Sequence, residues 1–309
     1  MKANPAASVK ARLLALAGGE DFQRTLTRYA AERWLFRLGA SAVRERFALK
    51  GASLLTVWMP DPYRGTKDVD LLASGDPSDE GLRALLESVC TVPCPEDGLI
   101  FDLSSLRLET IRPEEEYSGK RARFHALLGT TRIRVQLDLG FGDAVVPEPA
   151  DITYPTLLND LPAPELLAYP REAAVAEKFE AMVKLDLSNS RMKDFHDLWA
   201  LASTFRFEGP LLRAAVEACF QRRGTPWAEE IPTPLTPGFY QRPELAARWA
   251  GYLAREAVLV PPPNRFEEIG EVVVAFVGPV RKSLVEEGPF DRNWEPGGPW
   301  LALSKEESP

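Results

Sequence analysis

Asp68 and Asp70 are the two residues of this chain whose type and spacing point most directly to chemistry. Successive side chains on a β-strand point to opposite faces, so these carboxylates share one face while Val69 and Leu71 turn inward. Two anions held that close repel one another. A hard cation such as Mg²⁺ or Mn²⁺ removes the conflict, because it takes oxygen ligands and keeps coordination sites for water and phosphate. An isolated Asp-x-Asp also occurs in surface loops and at strand ends, where it binds nothing. Ahead of this one lies a small-residue turn, Lys50-Gly51-Ala52-Ser53. The apolar Leu54, Leu55, Val57 and Trp58 then predict a short helix. Its start would leave backbone N–H groups of Gly51 to Leu54 free, and such a start is a phosphate site.

A third carboxylate is reached through strand periodicity. In RIRVQLDLGFGD, Ile133, Val135, Leu137 and Leu139 alternate with Arg132, Arg134, Gln136 and Asp138, the pattern of a half-buried strand. Asp138 therefore shares a face with arginines, either as a third acid aimed at the metal pair or as a solvated residue paired with Arg134 or a neighbour. A second group of charges falls on two helices. One carries Glu177 and Lys178 beside an apolar face of Ala174, Val175, Phe179, Met182 and Val183. The next, with Ser190 as candidate N-cap, carries Arg191, Lys193, Asp194 and Asp197 beside Met192, Phe195, Leu198, Trp199 and Leu201. Alone, these charges read better as wet helix faces joined by surface salt bridges. His196 reads as a histidine satisfied by a hydrogen bond, not as a general base.

Taken together, Gly51-Ala52-Ser53, a spacer and Asp68-Val69-Asp70 resemble the minimal nucleotidyltransferase signature. With Lys50 before the turn and Arg64-Gly65-Thr66-Lys67 leading into Asp68, the stretch is similar to the AbiEii and MenT family of toxin nucleotidyltransferases. Where the wider superfamily has Gly-Ser directly, this chain has Gly-Ala-Ser, a departure that bears on Ser53 more than on the aspartates. Lys178 followed by Arg191-Met192-Lys193-Asp194 resembles the second part of the same pattern, and the resemblance spans about residues 45–205. It implies an α/β (α+β) fold: a nucleotidyltransferase-like mixed sheet with N-terminal helices and an α-helical C-terminal portion closing over a cleft. The implied reaction moves a nucleotidyl group from an NTP to a hydroxyl and releases pyrophosphate.

By position, the resemblance gives Asp68, Asp70 and Asp138 the metal, Mg²⁺ or Mn²⁺, and gives Gly51, Ser53 and Arg64 the nucleotide. Lys178 would contact the triphosphate, Asp194 would be an essential acid near it, and Arg191 and Lys193 would add phosphate contacts. The acceptor it implies is RNA, the tRNA 3′ end first, and the partner a separately encoded antitoxin. Two readings stand beside this one. The acceptor can be a protein hydroxyl, giving AMPylation. The chain can also be a non-catalytic nucleotide- or RNA-binding module of the same fold, although such a module has no need of paired metal carboxylates.

The elements that must position these residues follow from periodicity and punctuation. Two helices lead the chain, the second carrying Phe22, Leu26, Tyr29, Trp34 and Leu35, with Gly39 as its stop signal. Phe47 to Leu49 make a strand into the turn. Asp79 caps a helix to about Cys90. Strands over about 106–111, 122–128 and 131–139 follow, the last two joined as a hairpin at Gly129-Thr130. Helices are expected over 209–222, 243–255 and 266–285. The domains so defined are a sheet domain over 1–145, a Pro-rich linker over 146–170, a helical domain over 171–290 and an irregular tail over 291–309.

Composition sets the outer bounds. No apolar run is long enough to cross a bilayer and the N-terminus lacks a signal-peptide core, so a cytoplasmic protein with no membrane partner is expected. Three cysteines, an odd number, argue against a disulfide framework, and Cys90 and Cys94 lack a second pair to complete a zinc site. A net charge of −8 argues against indiscriminate polyanion binding. Local basic faces remain possible at Lys120, Arg121, Arg123, Arg132 and Arg134, and at Arg222-Arg223.

Overall fold

The computed structural model describes all residues except 1–4, 20, 60–67, 112–118, 190, 228–229, 256–260 and 304–309. Residues 1–142 and 149–169 form one compact unit, and residues 143–148 with 170–309 form a second.

The first unit runs α1 (Pro5–Ala17), α2 (Phe22–Gly39), β1 (Phe47–Lys50), α3 (Ser53–Trp58), β2 (Val69–Ala73), α4 (Asp79–Cys90), β3 (Leu99–Ile111), β4 (Gly119–Leu128), β5 (Thr131–Phe141), β6 (Ala150–Thr153) and β7 (Glu165–Ala168). Its sheet has the order β3-β4-β5-β2-β1-β7-β6. The β2/β5 and β1/β7 pairs are parallel and the others antiparallel, so the sheet is mixed, as expected. Leu49, Leu71, Leu137 and Leu139 are buried on one face, and α2 packs against β5 and β7.

Helix α2 is buried over much of its circumference, and its charged residues are paired accordingly. Arg37 grips Asp97 through two hydrogen bonds of 2.6 and 3.2 Å, with both side chains nearly inaccessible. Glu32 pairs with Arg33 at 2.7 Å and accepts a hydrogen bond from Leu157 N–H, while Arg33 donates to the Pro162 carbonyl. These bonds draw the proline-rich segment back over the helix. Residues 146–170, expected as a linker, thus contain β6 and β7 and extend the sheet. The reason was hidden in α2, whose buried charges need backbone partners from that segment.

Helix α2 ends at Gly39, as expected, and a Cβ there would stand 2.4 Å from the Glu165 carbonyl oxygen of β7. One end signal differs from the sequence reading. The cap of α4 is Ser78, whose hydroxyl accepts from Gly81 N–H at 3.1 Å. Asp79 is the first helical residue, where its charge suits the helix dipole. Leu82, Leu85, Leu86 and Val89 form the buried face of α4, as its periodicity predicts.

The second unit runs α5 (Arg171–Leu185), α6 (Met192–Thr204), β8 (Phe207–Glu208), α7 (Gly209–Arg222), α8 (Pro237–Tyr240), α9 (Pro243–Arg255), α10 (Phe266–Val285), β9 (Arg292–Trp294) and β10 (Trp300–Ala302). Phe195, Phe239, Tyr240, Trp249 and Phe266 meet in an aromatic core. The expected irregular tail departs from its reading here. Residues 292–302 supply two strands of a small sheet ordered β10-β9-β8. Tryptophan burial explains it: Trp294 and Trp300 are in the core, and their indole N–H groups donate to Ala202 and Phe276 carbonyls at 2.7 and 2.9 Å.

Candidate active site

Strand register turns the two aspartates into part of a longer row. Lys50 on β1 lies opposite Asp70 on β2, Asp70 opposite Asp138 on β5, Asp138 opposite Arg121 on β4, and Arg121 opposite Glu109 on β3. Five charged residues on five adjacent strands thus share one face of the sheet, with Asp70 and Asp138 side by side at its middle. Their neighbours on the other face are Leu49, Leu71 and Leu139, all buried. Asp68 precedes β2 by one residue and joins Asp70 on the row's face.

The turn before α3 closes on this row. Gly51 has φ +69°, and a Cβ there would stand 2.3 Å from Asp70 Oδ2. Only glycine allows that backbone to lie against the carboxylate. Ser53 is 1% exposed. The expectation of free N–H groups from Gly51 to Leu54 needs correction at its end, since Leu54 N–H donates to the Gly51 carbonyl at 3.3 Å within the turn. Arg64 lies outside the described residues.

Asp138 does not stand open beside Asp70. Arg121 takes both of its oxygens, Nε to Oδ1 at 2.7 Å and Nη2 to Oδ2 at 2.6 Å. This pair, together with the nearby charge of Asp68, raises the Arg121 pKa against the opposing effect of burial. Among the described residues no group of three His, Cys, Asp or Glu is placed to hold a metal ion. The fit to a divalent cation accordingly rests on the Asp68–Asp70 pair: hard oxygen donors two apart on a strand, beside a turn that a side chain would fill.

In the second unit, Lys178 of α5 and Asp194 and Asp197 of α6 are not on wet faces. Lys178 Nζ lies 2.6 Å from Asp197 Oδ2 and 3.5 Å from Asp194 Oδ1. The side-chain exposures are 12% for Lys178, 6% for Asp194 and 0% for Asp197. Arg191 Nε adds a contact to Asp194 Oδ2 at 2.8 Å. Lys193 is exposed. Arg191 is the residue before the first turn of α6, and the candidate cap Ser190 lies outside the described residues. His196 is buried, with Nδ1 2.8 Å from the Tyr252 hydroxyl, in keeping with its reading as a hydrogen-bonded core residue.

The arginines expected as basic faces are largely committed to acids. Lys120 pairs with Asp79 at 2.7 Å and Arg123 with Glu109 at 2.6 Å. Arg223 bonds Glu177 and Glu180 of α5 at 2.6 and 2.9 Å. Burial opposes its charge, yet Glu177 and its neighbours hold its pKa above the usual value. All three cysteines are free thiols. Burial pushes Cys90 and Cys219 up to about 12 and Cys94 to about 11, which makes them poor nucleophiles.

Three residues of these clusters escaped the sequence reading as site residues: Lys50, Arg121 and Asp197. For Asp197 a signal existed in its spacing of three from Asp194 on one helix face. For Lys50 and Arg121 there was none, because register decides their neighbours.

Comparison with known proteins defines the class. The sequence pattern of the family described as "Nucleotidyl transferase AbiEii toxin, Type IV TA system" matches residues 33–272, so the chain is a nucleotidyltransferase. It belongs to the AbiEii family of nucleotidyl transferase toxins of type IV toxin–antitoxin systems. No curated protein matches the chain. Two solved structures from Helicobacter pylori are similar to it: one described as a nucleotidyltransferase, the other as JHP933. Each is 14% identical with a TM-score of 0.49 and is matched over 86% of this chain, and over 98% and 94% of its own length. Among the described residues, no helix is long and apolar enough to cross a membrane.

Proposed function

We propose that this enzyme transfers a nucleotidyl group from an NTP to an RNA hydroxyl, the tRNA 3′ end first among candidates, in a reaction that depends on Mg²⁺ or Mn²⁺. The observation that carries this reading is the meeting of the Gly51 turn with Asp70 on the acidic row. Asp68 and Asp70 would hold the cation. When bound, it would lower the pKa of the attacking hydroxyl and offset charge on the departing oxygens.

The chain's own residues do the remaining work. The turn at Gly51 to Ser53 orients phosphate against the acids, and its glycine keeps the approach open. The acceptor hydroxyl gives up its proton to solvent, and its oxygen forms a bond to the α-phosphorus as the bond to the pyrophosphate oxygen breaks. Lys178 is assigned to the triphosphate charge, with Asp194 and Asp197 fixing its ammonium and Arg191 and Lys193 as further phosphate contacts. A cognate antitoxin is the protein partner that the family description supports.

The test is incubation of the pure chain with Mg²⁺, each labelled NTP in turn and total tRNA. Label in RNA supports the reading. Label in protein instead would move the acceptor to a protein hydroxyl, and nucleotide binding without any transfer would reject catalysis.

A further inference from the structure

The acidic row contains a cation that strand register sets directly opposite Asp138. Arg121 presents its guanidinium edge-on to Asp138, so that both carboxylate oxygens are taken in a fork of 2.7 and 2.6 Å. Such bidentate pairs are among the stronger polar contacts in proteins. Gln136 Nε2 lies 3.4 Å from Oδ1 as well. On the other side of Arg121, Glu109 is its register partner but gives both oxygens to Arg123 at 2.6 and 2.7 Å. Glu109 therefore acts on Arg121 through its charge, while its oxygens are held by Arg123. The pair is partly shielded, at 28% and 18% side-chain exposure, so it is neither a frayed surface contact nor sealed in the core.

We propose that Arg121 is a tethered cation that occupies Asp138, keeps it out of the metal ligand set, and thereby sets the divalent-ion affinity of the Asp68–Asp70 pair. This rests on the metal-dependent reading above. Asp138 sits directly beside Asp70 and would otherwise be the natural third ligand. With Arg121 in place, one negative charge of the row is cancelled at its source. The charge of Asp68 also reaches Arg121, so the guanidinium acts on more than one acid of the row. The consequence is a weak, exchangeable cation site, suited to a metal that enters with the nucleotide.

The experiment measures Mn²⁺ binding to the metal-free full chain, without NTP, from the electron paramagnetic resonance signal of free Mn²⁺. Arg121→Gln releases Asp138 and should tighten binding by on the order of tenfold, the effect of one added charge at short range from a divalent ion. Asp138→Asn alone should weaken binding, because it leaves the Arg121 charge uncompensated beside the site, but by less than the loss of a ligand in Asp70→Asn. The double variant Arg121→Gln with Asp138→Asn should return to the wild-type value, and Asp70→Asn should lose binding.

Unchanged or weaker binding in a folded Arg121→Gln variant overturns the proposal, as does a loss in Asp138→Asn equal to that in Asp70→Asn. Should Arg121→Gln fail to fold, Asp138→Asn decides alone by the same criterion. Absence of Mn²⁺ binding by the wild type, in a repeat with NTP as well as without it, overturns the metal reading and this inference together. Binding that Asp70→Asn abolishes and Arg121→Gln does not alter overturns only the inference.

Discussion

The two charged clusters of this chain are built on opposite principles. On the sheet, Asp68, Asp70 and Asp138 crowd one partly exposed face, and register forces Asp70 against Asp138. Like charges directly opposite one another weaken a sheet. Between α5 and α6, by contrast, the cations Lys178 and Arg191 meet the acids Asp194 and Asp197, and Asp197 is fully buried. The first arrangement gathers three acids on one sheet face, with Arg121 holding Asp138 and Lys50 opposite Asp70. The second is self-sufficient, and damage to it is felt by the fold.

That contrast yields its largest test at Asp70. Asp70→Asn keeps the shape and removes one of the crowded charges, so nucleotidyl transfer should fall by about 10³-fold, as for other lost electrostatic partners in active sites. The thermal midpoint should change little, because Asn keeps the shape of a side chain that is only half-buried. Labelled-NTP transfer beside a melting curve checks both. A variant that loses activity together with stability would erase the distinction between the clusters.

Lys178→Met comes next. A loss of about 10²-fold in transfer is expected from removing a phosphate-directed cation. Its confounding cost is structural, since Asp197 is left buried without its 2.6 Å partner. The double variant Lys178→Met with Asp197→Leu separates the two, because an apolar pair of similar volume replaces a buried ion pair at little net cost. Urea unfolding should show most of the stability recovered, with transfer still lost. Recovery of transfer would remove Lys178 from the reaction.

What the sequence made legible follows the same division. The alternation of Ile133, Val135, Leu137 and Leu139 identified the buried face of β5, and the boundaries of α7, α9 and α10 agree with their apolar periodicity. Asp68-Val69-Asp70 was visible because strand period alone places its side chains. The row from Lys50 to Glu109 was not visible. It depends on which strands become neighbours, and β2 reaches β5 only by a parallel pairing across two intervening strands in sequence. The burial of Asp194 and Asp197 was equally hidden, because on a helical wheel their charges look like solvent-facing ones. The proline content of 146–170 and of the C-terminal segment suggested irregular chain, whereas partners distant in sequence, Glu32 and Arg33 in one case and Ala202 and Phe276 in the other, order them.

Asp197→Asn measures how much of the helical cluster is scaffold. Removing the charge of a fully buried acid takes from Lys178 its partner at 2.6 Å, and the expected loss is about 3 kcal/mol of unfolding free energy. Asp194→Asn is the smaller and sharper change. Asp194 stands 3.5 Å from Lys178 and shares its other oxygen with the half-exposed Arg191, so its removal should cost only about 1 kcal/mol. A role in the reaction then shows as a fall in transfer of about tenfold or more that this small loss does not account for. Urea midpoints and transfer rates on the two variants, read together, rank the acids: stability must fall further for Asp197, and activity per folded molecule further for Asp194. The reverse order would make Asp197 the acid of the reaction and Asp194 its support.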